Sequence, residues 1–194
     1  MAITSIKTGS SFTNLQKYND FLGPNAAFIP TSFESIATLN LSSGTTASFT
    51  SIPSTYKHLQ IRGNFLLNAN GYIVAKFNND TASNYPGHSL YGNGSTASAV
   101  WNGQGEIFLS SVYAAGGAVT YPGVFIADIH DYASTTKNKT VRSFSGYDKN
   151  ASGGDVELNS GVWLNNTNAI TSIQFATGGR TFQSGTTISL YGIN

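Results

Sequence analysis

From Phe33 to Asn194 the chain is cut into short apolar–polar alternations, and none has the length or spacing of a packed helix. Gly, Asn, Ser and Pro separate the runs. Phe33–Leu41 alternates, with Ile36 out of phase and Ala37, Leu39 and Leu41 on one face. Lys57–Phe65 sets His58, Gln60, Arg62 and Asn64 against Leu59, Ile61 and Phe65, with Gly63 among them. Asn70-Gly71 ahead of Tyr72–Asn78 predicts a hairpin turn. Further strands are expected at Ala47–Ile52, Ser89–Tyr91, Glu106–Tyr113, Gly123–Tyr132, Lys139–Tyr147, Gly161–Leu164, Ala169–Ala176 and Thr186–Gly192. Gly116-Gly117, Gly153-Gly154 and Gly178-Gly179 read as loop tips. Roughly ten short strands of this kind predict a sandwich, jelly roll or barrel. A parallel α/β fold is disfavoured, because there is nowhere to put crossover helices.

Residues 1–32 differ in character. Ile3, Ile6, Phe12, Leu15, Tyr18, Phe21, Leu22, Phe28 and Ile29 do not alternate. Leu15, Tyr18 and Leu22 share helical spacing, so a short helix is expected over 13–22, capped by Thr13 or Asn14 and stopped at Gly23-Pro24. Three turns are marginal alone, so this extended or short-helical arm has to pack on something. The expected organisation is an arm at 1–32 and an all-β domain at 33–194.

Only 10% of the 194 residues are charged, so the polar surface is built from Ser, Thr, Asn and Gly. The net charge is +1 and no basic stripe is visible, which argues against a nucleic-acid groove. No apolar run approaches the ~20 residues of a membrane span, and no basic amphipathic segment suits a membrane surface. Cysteine is absent, which excludes disulfides, thiolate metal sites and a cysteine nucleophile. The N-terminus lacks the apolar stretch of a secretory signal, so the expectation is a chain that starts near Met1 and is released in the cytoplasm.

Candidate chemistry is sparse. The three histidines, His58, His88 and His130, show no metal spacing in sequence. Asp128-Ile129-His130-Asp131-Tyr132 places Asp128 and His130 on one strand face, but no Gly-x-Ser-x-Gly elbow accompanies it. A polar strand end is the plainer reading. Asp155 and Glu157 are the nearest carboxylate pair for glycoside chemistry, yet they adjoin Gly153-Gly154 and are expected on an exposed turn. Asn78-Asn79-Asp80 resembles a calcium fragment without the ligands that should follow. Tyr85, His88, Tyr91 and Trp101 cluster in a Gly/Asn-rich stretch and are candidates for stacking on a sugar, although aromatics also fill interfaces. No catalytic, metal or cofactor residues are assigned.

Separated motifs carry a resemblance. They are Phe33-Glu34-Ser35-Ile36-Ala37, the run from Ile52-Pro53-Ser54-Thr55-Tyr56 to Gly63, Phe77-Asn78-Asn79-Asp80, Asn84-Tyr85, and His88-Ser89-Leu90-Tyr91-Gly92. Asp128–Tyr132, Lys139–Tyr147 and Ile188-Ser189-Leu190-Tyr191-Gly192-Ile193 complete them. On these the chain resembles small virion structural proteins of marine and cyanobacterial bacteriophages. The resemblance implies a jelly-roll-like antiparallel β-sandwich in a particle component and carries over no catalytic or receptor-binding residues; no enzymatic activity and no cofactor are expected. Residues 1–32 lie outside it.

The expected function is a capsid cement or decoration protein, displayed on the virion surface after assembly in the host cytoplasm. Ile3, Ile6, Phe12, Leu15, Tyr18, Phe21 and Leu22 are the expected docking residues toward the major capsid protein, a neighbouring virion protein or a sister subunit. A homo-oligomer is expected, a trimer at threefold positions being one arrangement. The alternative is a tail-fibre or receptor-binding component touching host glycans through Tyr85, His88, Tyr91 and Trp101. It is disfavoured because a fibre usually carries a shaft repeat that this chain lacks. An enzyme and a free carbohydrate-binding module are the remaining possibilities.

Overall fold

A computed structural model describes residues 33–112, 121–149 and 153–194. The docking residues expected in the arm lie outside them. The described residues form twelve strands. These are β1 (Phe33–Leu41), β2 (Thr46–Phe49), β3 (His58–Phe65), β4 (Gly71–Phe77), β5 (Gly87–Gly92) and β6 (Ala97–Trp101). They continue with β7 (Ile107–Val112), β8 (Gly123–His130), β9 (Lys139–Lys149), β10 (Gly153–Trp163), β11 (Ile173–Ala176) and β12 (Thr186–Ile193).

All pairings are antiparallel. The large sheet runs β1-β12-β3-β8-β9-β10-β5-β6 and the small one β2-β11-β4-β7. Set aside β5, β6, β9 and β10, and the remaining order is β1-β12-β3-β8 against β2-β11-β4-β7. That is the jelly-roll order, two interleaved Greek keys. The four additional strands all extend the large sheet past β8.

Alternation explains the sandwich. β3 buries Leu59, Ile61, Gly63 and Phe65, and β12 buries Ile188 and Leu190. The core between the sheets also takes Phe77, Trp163, Phe175 and Phe182, each fully buried or nearly so. Every such side chain contributes about 1.5–3 kcal/mol through lost contact with water. Gly63 is required by the packing: a Cβ there would lie 2.1 Å from Cε1 of Phe125. The phase break at Ile36 is a real bulge, since the β1–β12 register shifts between Ser35 and Ala37.

Three expectations need correction. Asn70-Gly71 does not turn a hairpin, because β3 and β4 belong to different sheets. The link between them sends Leu67 into the core and bridges to Phe182, while Arg180 Nε donates to the Asn70 carbonyl at 2.9 Å. Gly153-Gly154 is the start of a long strand, so the strand expected at Gly161–Leu164 is only its end. β6 was not anticipated; its five residues are almost all exposed and give no buried period.

Candidate functional site

The four added strands depart from ordinary sandwich patterning. Toward the small sheet, β9, β10 and β5 present Ser143, Ser145, Glu157, Asn159 and Ser89, all buried and polar. Toward solvent the same strands present Phe144, Val156, Leu158 and Leu90, each more than half exposed. With Val124 and Ile126 of β8, these side chains form one apolar face. The polarity expected of an antiparallel strand is inverted here.

The inward polar groups have a structural task. Among the described residues β7 pairs only with β4, and its other edge faces β9 and β10 with no strand paired to it. Side chains take the place of a strand. The Leu109 carbonyl accepts from Ser143 Oγ at 2.7 Å and from Asn159 Nδ2 at 3.2 Å. Ser111 donates its N–H to Glu157 Oε2 at 3.1 Å and its hydroxyl to Oε1. Ser145 Oγ adds a third bond to Glu157 at 3.0 Å. Ser89 hydrogen-bonds Asn159, and Asn102 Nδ2 donates to Ser89. Glu157 therefore does not stand on an exposed turn with Asp155: it is buried and accepts three hydrogen bonds, while Asp155 accepts from Tyr147 Oη at 2.6 Å.

The other singled-out residues separate in space. Tyr85 is buried, its hydroxyl bonded to the backbone of Phe77 and Asp80, and burial pushes its pKa up to about 12. It is a core residue and has no surface for a sugar. Tyr91 pairs with Ser98 and lines a small cleft with Ser89, Phe108 and Glu157, on the face opposite His88. His88 and Trp101 are cross-strand partners on the outer face, and Trp101 is 58% exposed. The four aromatics thus do not converge.

Strand pairing joins His58 to His130, which sequence spacing keeps apart, with ring centroids 5.0 Å apart. Burial, then the charge of His130, pull His58 below its ordinary pKa against the opposing pull of Asp131. The Asp131 N–H donates to His58 Nδ1 at 3.1 Å. Lys137 binds the Asp131 carboxylate at 3.0 Å and holds it below the usual range. Asp128 accepts from Gln60 at 2.7 Å. Among the described residues no group of three His, Asp or Glu side chains could hold a metal. Asn78 and Asp80 are latches: the Asn78 side chain ties down 169–172, and Asp80 Oδ2 accepts from Trp163 Nε1 at 2.8 Å.

The outward apolar face was missed by sequence reasoning. Its signal is the alternation Arg142-Ser143-Phe144-Ser145 and Val156-Glu157-Leu158-Asn159, in which either set could face inward. A groove of about 640 Å³ runs along it between Val124, Phe144, Gly146 and Val156. The arrangement suits shape-matched burial against another apolar surface. No protein-family profile, no curated protein and no solved structure matches this chain.

Proposed function

We propose that this chain is a non-enzymatic structural protein of a virus particle, a decoration or cement subunit with a rigid jelly-roll body. The observation that carries this reading is the apolar face of β8, β9, β10 and β5. Six roughly half-exposed large side chains there leave on the order of 500 Å² of contiguous apolar surface, at the upper end for a monomer and typical of an interaction site. The polar groups that might suggest catalysis support the same reading, since Glu157, Asp155, Asp131 and Asp80 are all engaged in structural bonds. The resemblance to phage virion proteins supplies the particle. In this reading residues 1–32 dock on the shell and the sheet face makes a subunit contact.

The His88–Trp101 pair favours a second reading, a tail or receptor-binding component with an exposed aromatic for a glycan. Copy number per purified particle, by quantitative mass spectrometry against the major shell protein, separates the two. Hundreds of copies in a simple ratio to the shell subunit support decoration. A few dozen or fewer support the tail, and none overturns both.

A further inference from the structure

The apolar face is built as a ridge beside a furrow. Strand register aligns Ile126, Phe144, Leu158 and Leu90 in one outward row. The neighbouring outward row is Val124, Gly146, Val156 and Gly92. On every strand the first row carries the larger side chain. The groove follows the second row, where Gly146 has no side chain to fill it.

We propose that this face pairs with the same face of a second copy, about a twofold axis that lies between the two sheets and runs midway between the rows. The inference rests on reading the face as an assembly interface, and it names the occupant. The operation reverses strand direction and exchanges the rows. Phe144 enters the space over the second copy's Gly146, Leu158 meets its Val156, and Leu90 meets its Gly92. The two outward charges of β9 obey the same symmetry. Outward along β9 stand Arg142, Phe144, Gly146 and Asp148, with Arg142 and Asp148 exposed at the two ends. The twofold sets Arg142 opposite the second copy's Asp148, and the reverse, so each interface gains two opposite-charge contacts. A heterologous surface would need no such palindrome; an isologous one does.

Size and geometry agree. Two such faces bury on the order of 1,000 Å² of apolar surface, the lower bound for a stable interface before any rim is counted. Aligned sheets cross at about −30°, so the row match is closest at the centre, over Phe144 and Leu158.

The test is the mass of the full chain in solution by light scattering and sedimentation equilibrium. The wild type is expected at twice the chain mass of 20.5 kDa. Phe144→Asp is expected to raise the dissociation constant at least about 100-fold, as loss of a central anchor does. Arg142→Asp is expected to raise it about tenfold, and Arg142→Asp combined with Asp148→Arg to restore pairing, which a folding defect cannot mimic. A monomeric wild type, or an oligomer indifferent to all these changes, overturns the proposal. A monomeric wild type whose recovery on particles still falls with Phe144→Asp overturns self-pairing alone. A monomeric wild type whose Phe144→Asp variant is recovered undiminished overturns the assembly reading with it.

Discussion

Ser111 donates both its backbone N–H and its hydroxyl to the carboxylate of Glu157, which is only 7% exposed beneath the edge of the small sheet. A side chain of the large sheet thereby satisfies the open edge of β7, as a neighbouring strand would. Truncating Glu157 to Ala strands a backbone donor and the Ser145 hydroxyl, and is expected to cost about 3 kcal/mol in chemical denaturation. Glu157→Gln keeps an acceptor and is expected to lose roughly half of that. A change below about 0.5 kcal/mol for Glu157→Ala would show that the edge is satisfied in some other way.

Asp80 holds Trp163 to the turn after β4. Its carboxylate accepts from the Trp163 indole, from Asn84 Nδ2 at 2.9 Å and from the Ala82 N–H at 3.0 Å. The bonds to Asn84 and Trp163 hold it below the ordinary carboxylate range against the opposing effect of burial. Asp80→Ala leaves the buried indole N–H unpaired, an expected loss of about 1–3 kcal/mol. Near-ultraviolet circular dichroism of the tryptophans should change with it. An unaltered spectrum with unaltered stability contradicts the latch.

His58 gives the fold a pH dependence of definite sign. Its pKa is pulled below the ordinary 6.5, by burial first and then by His130, with Lys57 adding and Asp131 and Asp128 opposing. Below that ordinary value the unfolded chain takes up a proton that the folded chain resists. Stability is therefore full above pH 6.5 and declines as pH falls from there toward the folded pKa. Asp131 titrates lower, held down by Lys137, and its loss of stabilisation belongs to more acidic conditions. Melting temperatures at pH 7.5 and 5.5 should differ in the wild type, and the difference should shrink in His58→Gln. An equal difference in both chains assigns the slope to another group.

The outer face is expected to be dispensable for folding. Leu158 and Phe144 are more than half exposed, so at chain concentrations too low for pairing Leu158→Lys should change stability by no more than about 0.5 kcal/mol. The same change in Leu109, fully buried between the sheets, should prevent folding. If Leu158→Lys unfolds the chain, the face is part of a core and the interface reading fails.

Strand positions in the jelly-roll core were legible because one face is apolar and the other polar. β1 matched residue for residue, and the phase break at Ile36 marked its bulge. β10 was cut short because Gly153, Gly154 and Gly161 look like punctuation, whereas backbone and the Ile107 side chain crowd Gly154 and Gly161 in the sheet. The hairpin at Asn70-Gly71 fails because a turn dipeptide is local, while the sheet a strand joins is decided by burial of Leu67, which bridges to Phe182 far along the chain. Tyr85 reads as a surface aromatic only because its neighbours are polar; its hydroxyl partners are the backbone at the end of β4 and in the turn that follows. The ridge and furrow were invisible for a deeper reason. Period-two alternation says that two faces differ, and does not say which one the second sheet covers.

The role of the apolar face in assembly is decided by recovery of the chain on purified particles, wild type and Leu158→Lys in parallel. Wild-type chains are expected at a fixed ratio to the shell subunit. The folded variant is expected to be reduced at least about tenfold, because loss of the subunit contact removes the avidity of paired arms. Equal recovery of the two chains would contradict this role, leaving the apolar face of β8, β9, β10 and β5 with no part in assembly.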